Sequence, residues 1–165
     1  MVKSLGTFDD HYQVLIHNFK YKRKTSLGKR LGLRLGENLC SDQRFLDSDL
    51  LMPVPLHPAR KRERGFNQSE ILAEMVSERI NVPLAKGILR RIKNTKDQTN
   101  LSAEQRRENV AGAFSVSHPE RISGKRIILV DDVITTGATL KECAKVLKEA
   151  GAKRIVAATL VVAMG

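Results

Sequence analysis

Apolar positions along the chain change rhythm several times, and each rhythm predicts an element. After Asp9 and Asp10, acids suited to the positive end of a helix dipole, Tyr12, Leu15, Ile16 and Phe19 recur at helical spacing. Leu27, Leu31, Leu35 and Leu39 step by four and predict a second helix. Gly28, Gly32 and Gly36 run beside them. Each weakens a helix by up to about 1 kcal/mol against alanine, yet lets a neighbour approach closely. Residues 49–55 form a short apolar run ended by prolines, read as a buried strand that enters a loop over 56–67. Ile71, Leu72, Met75, Val76 and Ile80 make an amphipathic helix from Gln68 to Ile80, with Asn67 or Ser69 as its cap.

Residues 84–92 mix apolar and basic side chains and read as a further strand, and 113–116 as a short one. Between them 93–107 is polar, with no apolar period beyond Leu101. In a compact domain such a stretch is a candidate functional loop. Residues 126–131 are nearly all apolar, as in a strand buried on both faces of a parallel sheet. A helix over 139–150 follows, with Leu140, Cys143, Ala144 and Leu147 on one face and Gly151 at its end. Residues 155–163 are a second apolar run. Strand, helix and strand make a βαβ unit, so the class is α/β. The expected division is an N-terminal helical extension, 1–45, packed on a core domain, 46–165.

Composition narrows the field. At 165 residues the chain suits one domain with its own core. No apolar run reaches the roughly 18 residues of a spanning helix, which predicts no membrane insertion. The polar N-terminus lacks an apolar signal core, and two cysteines, Cys40 and Cys143, make neither a disulfide framework nor a closed zinc site. The expectation is a cytoplasmic protein.

Charge adds the main question. There are 29 Lys and Arg against 18 Asp and Glu, a net charge of +11, so polyanions or phosphorylated ligands are the natural partners. Residues 20–34 carry Lys20, Lys22, Arg23, Lys24, Lys29, Arg30 and Arg34 without an acid. This run reads as a solvated face or as a track for single-stranded DNA. Residues 60–64 add Arg60, Lys61, Arg62 and Arg64. If extended, the segment places its three arginines on one side, suited to bidentate phosphate binding. His57, in the same loop, is a lesser candidate for a phosphate contact.

The sharpest chemistry lies after the 126–131 strand. Asp131 and Asp132 arrive at the carboxyl edge of a sheet, where open α/β folds bind ligands. Val133, Ile134, Thr135, Thr136, Gly137, Ala138 and Thr139 then form a hydroxyl-rich turn that opens a helix, a cradle for phosphate. Two acids beside an anion cradle suit a sugar phosphate with a divalent metal: carboxylates for ribose hydroxyls, amides for the 5′-phosphate.

That string resembles the phosphoribosyl-diphosphate (PRPP) motif of type I phosphoribosyltransferases. With the Met-Pro-Val-Pro-Leu-His-Pro-Ala-Arg-Lys-Arg-Glu-Arg-Gly-Phe-Asn-Gln-Ser segment (52–69) and the later Arg90, Thr95, Gln98, Leu101, Arg106 and 109–114 stretch, the chain resembles the ComF family. The resemblance implies a type I phosphoribosyltransferase-like fold, with a mostly parallel twisted sheet flanked by helices. It implies PRPP with Mg²⁺, Asp131 and Asp132 as catalytic acids, and no direct protein metal ligand beyond these two acting through water. The 133–139 turn would hold the 5′-phosphate, and Arg60, Arg62, Arg64, Gly65, Asn67 and Gln68 the pyrophosphate side. Residues 93–107 would be a lid. The implied reaction is phosphoribosyl transfer to a nitrogen acceptor, in nucleoside metabolism. The alternative is a non-catalytic accessory that binds nucleotides or single-stranded DNA during DNA uptake in competence. A homodimer is also implied. One departure stands out: ComF proteins commonly begin with a cysteine-rich zinc module, and here no cysteine precedes Cys40. The gene either lacks that module or the chain is a truncated form.

Overall fold

A computed structural model describes residues 1–7, 9–21, 24–95 and 102–163. Four parallel strands form the main sheet in the order β1 (Val2–Thr7), β6 (Arg154–Val162), β5 (Arg126–Ile134), β2 (Leu50–Pro53). The apolar runs account for the centre. Ile127, Ile128 and Val130 of β5 are fully buried, as suits a strand covered on both faces. The strand period then sorts the core into two layers. Ile128 and Val130, with Val156, Ala158 and Leu160, face helices α1 (Asp10–Tyr21), α2 (Thr25–Leu39) and α5 (Gln68–Ile80). Ile127, Leu129 and Ala157 face α7 (Ala138–Glu149) and a small antiparallel pair, β3 (Leu89–Arg91) with β4 (Phe114–Val116).

Two of the three glycines of α2 bring it against α5, and the third admits α1. A Cβ on Gly32 would lie 2.8 Å from that of Met75, and one on Gly36 would lie 2.7 Å from that of Arg79. A Cβ on Gly28 would collide with the ring of Phe19.

Four elements depart from the sequence expectation. The segment 1–45 carries α1 and α2 and also supplies β1, an edge strand that has little apolar pattern of its own. β1 is held by main-chain pairing from Val2↔Ala157 to Thr7↔Val162, and by Ser4 Oγ 2.8 Å from Thr159 Oγ1. A short helix, α3 (Gln43–Leu46), is capped by Asp42. The expected loop over 56–67 contains α4 (Pro58–Arg64), started by proline and stopped by Gly65 at φ +86°. The polar 93–107 stretch contains α6 (Ala103–Val110), started by a capping box between Ser102 and Gln105. Polar composition hid both helices, since neither carries an apolar stripe.

Candidate functional site

β5 runs to Ile134 and carries both acids to the carboxyl edge of the sheet. Asp131 Oδ1 accepts from the Ser69 hydroxyl at 2.9 Å and from the Asp132 amide at 2.9 Å. Asp132 Oδ1 accepts from the Val133 amide at 2.8 Å. Burial and the neighbouring Asp132 charge push the Asp131 carboxyl up to about 7, against the pull of those hydrogen bonds and of Lys20. The turn that follows reaches α7 through Gly137, whose φ of +72° favours glycine. Gly137 has no side chain to cap the helix, and Thr136 Oγ1 lies 3.4 Å from the Ala138 amide. The positive end of α7 therefore keeps amides for an anion.

Asn67 ties the second wall to the sheet. Its Oδ1 caps α5 through the Ser69 amide at 3.1 Å, and its Nδ2 donates to the Val54 carbonyl at 3.0 Å. That places Ser69 against Asp131 and Gln68 beside Arg64, whose Nη1 donates to Gln68 Oε1 at 2.9 Å. Gln68 is 2% exposed, and its Nε2 is buried without a hydrogen-bond partner among the described residues. A donor left unpaired in a site wall is costly unless a ligand accepts from it.

These walls enclose a cavity of about 450 Å³, within the size range of small-molecule sites. Among the residues singled out in the sequence, Asp131, Asp132, Val133, Thr135, Thr139, Arg60, Arg64, Asn67 and Gln68 line it. Ile134, Thr136, Gly137 and Ala138 build the turn without lining the cavity. Arg62 and Gly65 line a different one. The expected extended arginine segment is corrected here: on helix α4, Arg60 and Arg64 are one turn apart on one face, and Arg62 projects from the opposite face. His57 also lines the cavity. Its Nδ1 accepts from the Ala59 amide at 3.2 Å and so serves as the cap of α4.

Lys20 was legible only as part of a basic run. Its Nζ lies 2.8 Å from Asp132 Oδ2. Burial works against its charge, but Asp132, helped by Asp131, holds its pKa above the ordinary lysine value. Gln13, Ile16 and His17 line the cavity with it. Their spacing of three, one and three along α1 is one helical face, a signal masked by the attention that lysine-rich runs draw as surface. Arg91 of β3 also lines it, with Thr95 and Arg106 from the region of the expected lid. Gln98 and Leu101 of the quoted motif, and Lys22 and Arg23 of the basic run, lie outside the described residues. Among the described residues, no cluster of three or more His, Cys, Asp or Glu side chains could hold a metal. The two acids fit an ion such as Mg²⁺ that keeps water and ligand oxygens in most of its positions. No helix among the described residues is long and apolar enough to cross a membrane.

Comparison with known proteins bears on this geometry. Residues 67–164 match the family model "Phosphoribosyl transferase domain". The chain is 34% identical to Competence protein F of Haemophilus influenzae over 156 residues, covering 92% of the chain and 68% of that protein. It thus spans about two thirds of that relative's length. Among solved structures it is similar to the glutamine PRPP amidotransferase of B. subtilis, with a TM-score of 0.54 and 23% identity over 80% of this chain and 25% of that one. It is also similar to a purine phosphoribosyltransferase from Pyrococcus horikoshii, with a TM-score of 0.51 and 23% identity over 82% of this chain and 73% of that one. These two likenesses show the fold.

Proposed function

The chain belongs to the phosphoribosyl transferase domain family, in its ComF branch, and from that premise we propose that it binds PRPP with Mg²⁺ and transfers the phosphoribosyl group to a nitrogen acceptor. The observation that carries this reading is the convergence on one cavity of Asp131 and Asp132 with Thr135, Thr139, Arg60, Arg64 and the unpaired Gln68 Nε2. In this reading the 5′-phosphate lies in the 135–139 turn and the ribose hydroxyls on the two carboxylates. Arg60, Arg64 and Gln68 hold the pyrophosphate. Asp131 and Asp132 would hold Mg²⁺ through water, and the ion would supply charge neutralisation on the pyrophosphate.

The chemistry asked of the protein is then modest. The bond from C1 of the ribose to the pyrophosphate oxygen breaks, and its electron pair leaves with pyrophosphate. The acceptor nitrogen bonds to C1 and gives up a proton. Asp131, with its carboxyl pushed to about 7, is better matched than an ordinary carboxylate to take that proton. Arg60 and Arg64 stabilise the leaving charge. Arg106, on α6, belongs to the cover that keeps water out.

The test is calorimetric titration of PRPP with Mg²⁺ into the protein and into the Asp131→Asn/Asp132→Asn variant. The reading expects binding that weakens by at least about tenfold in the variant; no binding to either sinks it. Pyrophosphate release with one member of a panel of nucleobases and amines identifies transfer.

A second reading, single-stranded DNA binding in competence, is favoured by one observation. Lys24, Lys29, Arg30 and Arg34 are all exposed, the last three on α2. A slope of log affinity against log salt that is unchanged in a Lys29→Gln/Arg30→Gln/Arg34→Gln variant removes that face from any DNA site.

A further inference from the structure

Helix α4 lies between two neighbouring cavities, whose linings share Pro55, Leu56, His57 and Arg91. Arg60 and Arg64 line the first; Lys61, Arg62 and Gly65 line a second of about 890 Å³ on its other side. The second is floored by Pro53, Pro55, Leu56, Ala85 and Leu89 and edged by Ile92. Ile92 is 57% exposed, one of few large apolar side chains left in water.

Its charged groups are not equivalent. Lys61 and Glu70 neutralise each other, the ammonium lying 2.8 Å from both carboxylate oxygens. Arg62 is exposed and has no hydrogen bond or ion pair among the described residues. Arg90 is pinned by its Nε, which donates to the Gly87 carbonyl at 3.0 Å. That bond leaves its terminal nitrogens available, and a guanidinium so oriented suits two-pronged binding of phosphate. Gly87 itself has open space where a Cβ would stand.

From this combination we propose that the second cavity is a binding site for a phosphorylated ring compound of the nucleoside monophosphate class, with its planar ring on the Pro-Leu floor and its phosphate between Arg62 and Arg90. The apolar floor alone would suit any flat hydrophobe, and the arginines alone any anion. Together in one concavity they select a ligand with both parts. The ligand is a second one: Arg62 and Arg90 line this cavity and not that of Asp131 and Asp132, although Pro55, Leu56, His57 and Arg91 line both.

The experiment titrates a panel of nucleoside 5′-monophosphates into the full chain, with the matching nucleosides and inorganic phosphate as controls, and repeats it on Arg62→Ala, Arg90→Ala and Arg60→Ala. At least one monophosphate is expected to bind. Its affinity is expected to fall about tenfold or more in Arg62→Ala and in Arg90→Ala, and to stay within about twofold in Arg60→Ala. Nucleoside and phosphate each bind at least about tenfold more weakly than the monophosphate. No binding by any monophosphate overturns the proposal. So does binding that is unchanged in both Arg62→Ala and Arg90→Ala, whether or not it depends on Arg60, which places the nucleotide outside this cavity. Equal binding of inorganic phosphate overturns the ring-binding part. Both arginines are solvent-facing, so circular dichroism is expected to show folded variants; a Arg62→Lys protein, which keeps charge without the fork, is expected to recover binding only in part. Because PRPP is absent from these titrations, a failure here and a failure to bind PRPP are read separately.

Discussion

The ammonium of Lys20 lies 2.8 Å from Oδ2 of Asp132, joining the first helix of the chain to the carboxyl end of the central strand. The pair is mostly sheltered, at 24% and 11% side-chain exposure, so each charge depends on the other. Lys20→Met is expected to destabilise the protein by about 1–3 kcal/mol, by leaving a buried carboxylate without its cation. Adding Asp132→Asn is expected to return part of that loss. Urea unfolding of the two single variants and the double variant measures the coupling, and additive losses would show that the pair contributes nothing. Because the lysine pKa is raised, the contribution is fully present below about pH 10 and is lost as pH climbs through the folded value.

Asp131 has the opposite sign from an ordinary ion-paired carboxylate. Its pKa is raised to about 7, so the folded chain binds a proton more tightly than the unfolded chain, whose aspartates titrate near 3.9. Its contribution to stability therefore declines from about pH 4 to about pH 7 and is level above. A ligand whose hydroxyls donate to the ionised carboxylate reverses the balance. PRPP affinity is expected to rise with pH through about 7 in the native chain, beyond the rise due to the ligand's own phosphate. Calorimetry at several pH values on native protein and Asp131→Asn checks it, and identical profiles would refute the assignment.

Asp49 illustrates the usual case at the other end of the strands. Its carboxylate is held by the Arg126 guanidinium, at 3.0 Å from Nε and 2.8 Å from Nη2, and by the Arg126 amide at 2.7 Å. These donors hold its pKa well below the ordinary carboxylate range. The pair joins the start of β2 to the start of β5, and both side chains are about a third exposed, which limits its worth. Asp49→Asn is expected to cost about 1 kcal/mol at pH 7. The gap from the native protein should begin to narrow as pH falls below about 4 and close only as pH falls through the lower folded value, because a lowered pKa contributes in full above the unfolded value and is lost on the way down to the folded one. Denaturant midpoints at pH 7 and at pH 3 provide the comparison, and a gap that widens in acid would contradict the assignment.

How much of this was legible in the sequence follows from what each element relies on. β5, α5 and α7 announce themselves, because each buries an apolar face that the sequence spells out. The Asp131 to Thr139 string identified the family because strand, acids and turn are contiguous. β1 was invisible, since an edge strand stabilised by main-chain pairing needs no apolar alternation. α4 and α6 were hidden by polarity. The misplaced Arg62 followed from that: alternate residues share a side in an extended chain and take opposite sides in a helix. Lys20 was hidden for another reason, as its partner lies 112 positions away and only the folded chain brings them together.

The leucine row of α2 was legible, and so was a use for its glycines, but not which neighbour they admit. Gly32 is the one of the three that meets both a Cβ and a main-chain oxygen of α5. An added Cβ meets the Met75 Cβ at 2.8 Å and the Leu72 backbone oxygen and Cα at 3.1 and 3.2 Å, none of them the free end of a flexible side chain. Alanine would gain about 1 kcal/mol of helix propensity over glycine. Overpacking against backbone costs about 1–3 kcal/mol and is expected to win. Gly32→Ala should therefore lower the melting temperature by a few degrees, at about 2–4 °C per kcal/mol for a chain of this size. A melting temperature equal to or above that of the native chain would mean that α2 can move away from α5 freely. In that event the α1 face that carries Lys20, which packs on α2 through Phe19 and Gly28, would be less firmly placed over the cavity than the geometry implies.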